Sequence, residues 1–487
     1  MASRWFSLSC VSVLTVTACS FAPPYRPPST VAPAAFKEAG PWVVAEPQDQ
    51  APRGDWWTLY GDSVLDGLEQ RIDASNPTLA GALARYDEAR GYLQQARSGL
   101  FPHIGLDADI TDNRQSNNRP LRGANQPDLY QADTVGGEIG YELDLWGRVR
   151  NSIAAGKAET EASADDVGAI KLSLESQLAT TYIALRGYDQ QINLLLATVD
   201  AYAKADSITE RRFKGGIASG IDTGRSGVQL AEAQAQLADV RSNRALAEHA
   251  IASLVGILAS NFSIAPATLN LALPPIPIGL PSTLLQRRPD VAAAERRMAA
   301  ANAEIGVAKA AFFPSISLGG QGGFQNTGLP SLFTAPNLFW SIGPSAVLTL
   351  FDGGRRRAQL AVARANWRQT TASYRGQVLQ TFQDVEDNLS RLHHLGDETE
   401  AEQRAERQAA QTEALSLNRY LKGASDYLDV FTAQTTALRV HRTAIDLRTR
   451  RLQASVELIR ALGGGWNSAL AIATMSDRPG SHRSKGE

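Results

Sequence analysis

The chain has 487 residues, and its 48 Lys and Arg against 50 Asp and Glu leave a formal net charge of -2. That near-cancellation excludes nucleic acid as a partner on bulk electrostatics, because no basic face of the usual size is available to neutralise phosphates. Between Gly and Pro punctuation, residues 56–466 are evenly rich in Ala, Leu, Gln, Glu and Arg, the composition of long packed helices in one continuous architecture.

At the N-terminus, Arg4 precedes an apolar stretch from Leu8 to Val16, too short to span a bilayer as a mature helix, as in a secretory signal over residues 1–18. The run Val16-Thr17-Ala18-Cys19 resembles the lipobox of bacterial lipoproteins. That resemblance implies that Cys19 becomes the first mature residue and carries acyl chains. Ser20, standing where Asp would be an inner-membrane retention signal, implies transfer to the outer membrane. Cysteine usage agrees: the only other Cys, Cys10, lies in the segment to be removed, so no intrachain disulfide can form after export to an oxidising compartment. Residues 19–55 are then an acylated Cys and a Pro-rich tether. Residues 468–487 read as a disordered tail.

Between them the body repeats itself. Asn76-Pro77 aligns with Arg288-Pro289 and Phe101-Pro102 with Phe313-Pro314 at an offset of 212. Gly147-Arg148 aligns with Gly354-Arg355, Arg212-Phe213 with Arg419-Tyr420, and Gly256 with Gly463 at an offset of 207. The offset changes only across the strand pair, where a variable loop absorbs it. The halves, 56–265 and 266–467, each read as helix, two strands, long helix, tip, helix.

The strands show period-2 alternation. Ile104, Leu106, Ala108 and Ile110 alternate with His103, Asp107, Asp109 and Thr111; Val135, Ile139, Tyr141, Leu143 and Leu145 alternate with Thr134, Glu138, Glu142 and Asp144. In the second half Ile316, Leu318 and Phe324 share one face, as do Trp340, Ile342, Ala346, Leu348 and Leu350. Strands of roughly 10–13 residues cross a bilayer when tilted. A half-buried sheet of a soluble protein is the competing reading. Against it, the acidic face suits a wet barrel interior, and Phe101, Trp146, Phe313, Trp340 and Phe351 near strand ends suit interfacial girdles. Four strands cannot close a membrane barrel, which needs about eight. An unclosed edge in lipid leaves backbone groups unpaired at several kcal/mol each, so several chains must share the barrel.

From Gly147 to Phe213 there is no Pro, and Ile170, Leu174, Leu178, Tyr182, Leu185, Ile192 and Leu196 recur with heptad-like spacing. Roughly 67 residues of helix would span about 100 Å. Arg355 to Tyr420 repeats the pattern with Val378, Phe382, Val385, Leu389 and Leu392. Turn-like breaks at 215–222 and 423–429 reverse the chain.

Several segments together resemble the outer-membrane factor family, the TolC-like export channels, in its lipoprotein branch. They are Trp56-Trp57, Gly99-Leu100-Phe101-Pro102, Glu142 to Arg148, Leu284-Leu285-Gln286-Arg287-Arg288-Pro289-Asp290, Ala300 to Gly306, Phe351-Asp352-Gly353-Gly354-Arg355 and Ala461 to Trp466. The resemblance implies an α+β membrane protein: a transmembrane β-barrel shared by a homotrimer, four strands per chain, continuing into a long α-helical coiled-coil tunnel. It implies a passive outer-membrane conduit, not an enzyme, through which small molecules such as drugs or toxic compounds leave. Its partners would be a periplasmic membrane-fusion adaptor, an inner-membrane efflux pump and outer-membrane lipid. The adaptor-contacting tips fall at Gly216, Ser219, Gly220 and Asp222 and at Gly423 and Ser425, and the periplasmic gate at Leu428 with Asp429 or Asp426. Thr432 stands where many members carry Asp before Ala-Gln. The alternative, a periplasmic coiled-coil structural or adaptor lipoprotein, leaves the strands without a role.

In physical terms, Arg288-Pro289-Asp290 is first a helix start, with Pro in the first turn and Asp at the positive end of the dipole. Arg148 and Arg355-Arg356-Arg357 lie just below the strands, facing lipid headgroups or held in ion pairs. No cofactor is expected. Gly319-Gly320-Gln321-Gly322-Gly323 lacks the Lys-Ser/Thr of a phosphate loop and reads as strand glycine. A metal site is not expected either: His393-His394 is the only His pair, helical neighbours point roughly 100° apart, and no Cys, His or acidic partner shows ligand spacing.

Overall fold

The computed structural model describes residues 20–28, 33, 35–38, 55–116, 118, 127–274, 276 and 287–464. Cys19 and the signal segment, much of the expected tether, the stretch 277–286 and the tail 468–487 lie outside them. Two compact units divide the chain.

The first unit takes in residues 87–161 and 295–373 with the N-terminal stretch 20–28. Its centre is a four-stranded antiparallel sheet, β1 (His103–Arg114), β2 (Leu129–Leu143), β3 (Ser315–Asn326) and β4 (Leu338–Val347), in spatial order β1-β2-β3-β4. The register sets Ile104 opposite Ile139, Ile139 opposite Gly320, and Gly320 opposite Ile342. Period-2 patterning therefore puts Ile104, Leu106, Ile139, Leu318, Trp340 and Ile342 on one face, and Asp107, Glu138, Gln321 and Ser341 on the other. That apolar face is bare: Ile104, Leu106 and Trp340 are 80%, 83% and 72% exposed. A contiguous exposed apolar face marks contact with something other than water. No described helix is long and apolar enough to cross a membrane.

Glycine in β3 answers a close approach. A Cβ at Gly323 would meet the Val135 carbonyl and the Gly136 backbone of β2. The strand reading of the 319–323 run thus has a steric basis.

Four strand-end residues differ from their expected places. Leu145 and Asp144 lie beyond β2, and Leu348 and Leu350 beyond β4. Leu143 pairs with Ile316 and Ser315 with Val347, so β3 offers no partner further along. Asp144 instead anchors the next helix, accepting from Val149 N–H at 3.0 Å and from the backbone and guanidinium of Arg150, each at 2.9 Å. Asp352 does the same for Gly354 and Arg356. Gly147 and Gly354, at φ +75° and +92°, supply the left-handed turn at each handover. Two of the arginines next to the strands are ion-paired, Arg148 with Glu142 at 2.6 Å and Arg356 with Asp352 at 2.6 Å, while Arg355 and Arg357 are exposed.

Residues 20–28 are docked rather than a free tether. Phe21 stacks on Phe313 at 4.5 Å, Phe313 stacks on Trp146 at 5.0 Å, and the Trp146 indole N–H donates to the Pro314 carbonyl at 2.7 Å. Ser20 donates to Asn151 at 2.9 Å, and Asn302 to the Pro23 carbonyl at 2.8 Å. Aromatic burial and satisfied carbonyls outweigh the extended preference of the prolines here.

The second unit is helical, with residues 162–294, 374–464 and the described part of 29–86. Its first helix, α1 (Ser63–Ser75), starts at Asp62, whose carboxylate accepts from Val64 and Leu65 N–H. α2 (Pro77–Ser98), α3 (Arg148–Lys214), α4 (Gly220–Leu254), α5 (Pro289–Ala310), α6 (Arg355–Leu421) and α7 (Tyr427–Ala461) follow, several running from one unit into the other. α2 and α5 have 22 residues each, α3 and α6 67, and α4 and α7 35. Pro289 opens α5 as expected, with Arg288 bonded to Asp290 and Asp384.

The core of this unit holds Trp57, Leu178, Tyr182, Ile251, Val385 and Leu458. The heptad reading holds for Leu174 to Leu185 but slips after Ile192. Leu196 is exposed and Leu195 is fully buried against Leu237 and Val240. Tyr188, Ile192, Leu195 and Val199 carry the seam onward at alternating spacings of four and three.

Candidate functional site

Both expected reversals occur. After α3, Gly216 takes φ +68° and the Ile217 N–H returns to the Arg212 carbonyl at 2.8 Å. After α6, Gly423 takes φ +73° and the Ala424 N–H returns to the Arg419 carbonyl at 2.9 Å. Each is a glycine-terminated C-cap, which only a residue without Cβ closes cheaply.

The tips then diverge. At the first, Ser219 and Asp222 form a reciprocal capping box at the start of α4: Ser219 Oγ accepts from the Asp222 N–H, and the Asp222 carboxylate from the Ser219 N–H. Gly216, Gly220 and the exposed Ile217 and Ile221 surround it. At the second, Asp426 occupies the N-cap of α7 but makes no side-chain capping bond. Asp426 and Asp429 are exposed three residues apart, and neither carboxylate has a partner among the described residues. Leu428 lies between them, 46% exposed, and the Ser425 hydroxyl is buried without a partner. One tip has spent its acid on its own backbone, and the other presents two free carboxylates.

A side-chain lock joins the tips, and spacing in the sequence did not reveal it. The Arg212 guanidinium donates to the carbonyls of Tyr420 at 3.0 Å and Leu421 at 3.1 Å, and lies 4.4 Å from the Tyr420 ring centre. Tyr420 meets Tyr427 edge-on at 5.4 Å, and the Tyr427 hydroxyl donates to Gln229 at 3.1 Å. Burial drives the Tyr427 phenol above its ordinary range and that of Tyr202 up to about 12, so both stay neutral donors. The one trace of this lock in the sequence is the alignment of Arg212 with Arg419.

The adjacent histidines have an acidic neighbour that the expectation of no metal site did not count. Asp397 stands one turn beyond His393, and a ligand atom from each of His393, His394 and Asp397 lies within 4.8 Å of the others. The expectation held that no acidic partner stands at ligand spacing, and this i,i+4 carboxylate does.

Against known proteins, the chain matches the family described as outer membrane efflux protein over residues 68–257 and 280–464. It is 31% identical over 463 residues to outer membrane protein OprJ of Pseudomonas aeruginosa, covering 94% of this chain and 95% of that protein. It is 27% identical to the probable outer membrane lipoprotein SilC of Salmonella typhimurium, covering 95% and 99%. The solved structure of the outer-membrane channel OprN superposes with a TM-score of 0.84 at 28% identity, covering 92% of this chain and 100% of that one.

Proposed function

Because this chain belongs to the outer membrane efflux protein family, we propose that three copies of it pool their sheets into one closed barrel and their helices into one tunnel. The protein is an outer-membrane channel of an efflux system. The observation that carries the shared barrel is the sheet itself: one bare apolar face, one acidic face, and outer edges on β1 and β4 that pair with nothing among the described residues. Pairing β1 of one copy with β4 of the next removes every edge, as lipid requires. The equal lengths of the paired helices support an origin by duplication, each chain giving two similar sixths of the duct. Extraction in detergent followed by unheated electrophoresis tests the assembly. A heat-modifiable trimer is expected; a monomer soluble without detergent would overturn it.

Substrate passes without chemistry in this chain, and a periplasmic adaptor and an inner-membrane pump meet it at the two tips. The gate is the second tip, where Leu428, Asp426 and Asp429 would recur around the threefold axis. Like charges gathered there repel and attract cations. In planar bilayers, Asp429→Ala is expected to reduce cation selectivity and Asp426→Ala to add to that loss. Unchanged selectivity and open probability in the double variant would place the ring elsewhere.

Acylation at Cys19 draws support from the docking of Ser20 and Phe21 against Asn151 and Phe313, beside the ends of the strands. An acyl chain there starts at the membrane surface. Cys19→Ala is expected to abolish incorporation of labelled palmitate while the trimer still forms, since a single chain adds only marginal anchoring to a spanning barrel. Label retained in the variant would refute the assignment.

A further inference from the structure

We propose that His393, His394 and Asp397 of α6 form a binding site for one borderline divalent transition-metal ion per chain, of the Zn²⁺, Cu²⁺ or Ni²⁺ class. The three side chains sit on a single helical turn in the second unit, His393 half-buried and the other two exposed. His393 Nε2 lies 3.9 Å from an Asp397 carboxylate oxygen. That is too long for a hydrogen bond. It fits two ligands of one ion, since metal–ligand bonds of roughly 2.0–2.2 Å put coordinating atoms up to about 4 Å apart. The His393 and His394 rings, 5.2 Å apart between centres and inclined at 60°, converge although their Cα positions diverge around the helix.

The donor set selects the ion. Two imidazoles with one carboxylate suit zinc, copper and nickel, whereas calcium and magnesium demand oxygen throughout. Nothing competes for the carboxylate, because Asp397 has no other ion pair among the described residues. His394 also lines an open groove of about 480 Å³ with Glu398, Arg450 and Glu457, which leaves solvent-side positions for water. Of the groups around it, Arg450 lies 3.6 Å from Asp446, and Glu457 already accepts from Arg460 at 2.8 Å. A bound ion would clip one turn of the helix that leads to the second tip.

The test uses the full-length trimer in detergent, stripped with chelator and titrated with Cu²⁺ under electron paramagnetic resonance. Expected is one signal per chain with hyperfine structure from two imidazole nitrogens. His393→Ala/His394→Ala should abolish it, and Asp397→Asn should weaken binding by at least the roughly 10–100-fold that a lost supporting group costs. His441→Ala, which removes the other carboxylate-paired histidine, should leave it intact. Each variant is checked for trimer migration; His394 and Asp397 are exposed and His393 is half-buried. Sub-stoichiometric copper in the wild type, or undiminished uptake in the double variant, would overturn the proposal.

Discussion

Asp189→Ala is expected to destabilise the helical unit by about 3–5 kcal/mol, the cost of leaving buried charges without their partner. Asp189 is almost wholly buried on α3 and accepts three bonds, from Arg186 at 3.0 Å, Arg244 at 2.6 Å and the Ala267 N–H at 3.1 Å. The two arginines extend the network to the carbonyls of Ala265 and Ile264, at 2.8 and 2.6 Å, and Glu248 accepts from the Ile264 N–H. A segment without regular structure, 264–267, is thereby strapped to α3 and α4. Alanine would leave the Arg186 guanidinium, its side chain 4% exposed, without a carboxylate and Arg244 with Glu248 alone at 3.3 Å, and would loosen the strap. The temperature at which the proposed trimer dissociates on gels should fall sharply, and Asp189→Asn should fall less because it keeps an acceptor. Replacing Arg186, Asp189 and Arg244 together with apolar residues of similar volume should recover much of the loss, since the penalty belongs to unpaired charge rather than to a missing favourable pair. A dissociation temperature unchanged in Asp189→Ala would mean that water reaches the arginines.

That network also marks the limit of what was legible in the chain. Asp189 and Arg244 are 55 residues apart, and nothing in local spacing pairs them. By contrast, the alternation in β1 and the glycines at 216 and 423 act within a few residues, so the strand faces and the tip reversals could be read directly. Helix period placed Leu178, Tyr182 and Leu185 in the core but took Leu196 for Leu195, because the seam steps by three after Ile192 where a leucine also stands four residues on. The same locality explains the errors. Asp144 satisfied the alternation, yet the strand had run out of neighbours and the acid was free to cap α3. Prolines at 23, 24, 27 and 28 announced extended chain correctly without revealing that Phe21 would find an aromatic surface contributed by residue 313. At the candidate gate, charge and turn were visible in sequence. Which of the two acidic tips would satisfy itself was not, since Ser219 and Asp426 are both good capping residues and only geometry distinguishes them.

Stability should also depend on pH through a pair of buried acids that plays no part in the gate. Glu69 on α1 is 2% exposed, and neither of its carboxylate oxygens has a partner among the described residues. Desolvation first, then the charges of Glu175 and Asp73, push it from 4.5 to about 10. Glu175 accepts the Trp56 indole N–H at 3.1 Å and lies 3.7 Å from Lys171, which limits its rise, again mainly from desolvation, to about 7. Both values are raised on folding, so the folded state holds protons that the unfolded chain releases. The stabilisation is complete below about pH 4.5 and is lost as pH climbs through the folded values. For Glu175 that window runs from 4.5 to about 7, and at 1.36 kcal/mol per unit the loss comes to about 3 kcal/mol. Glu175→Gln keeps an acceptor for Trp56 but has no charge to desolvate. It should match the wild type at pH 4 and exceed it in trimer dissociation temperature at pH 8. Glu69→Gln should show its advantage over a wider range, up to about pH 10, and should leave the value at which Glu175 titrates unchanged, because Glu69 is still neutral there. Parallel curves for wild type and both variants from pH 4 to 9 would mean that water or a counter-charge already relieves the pair, and that these acids contribute only packing.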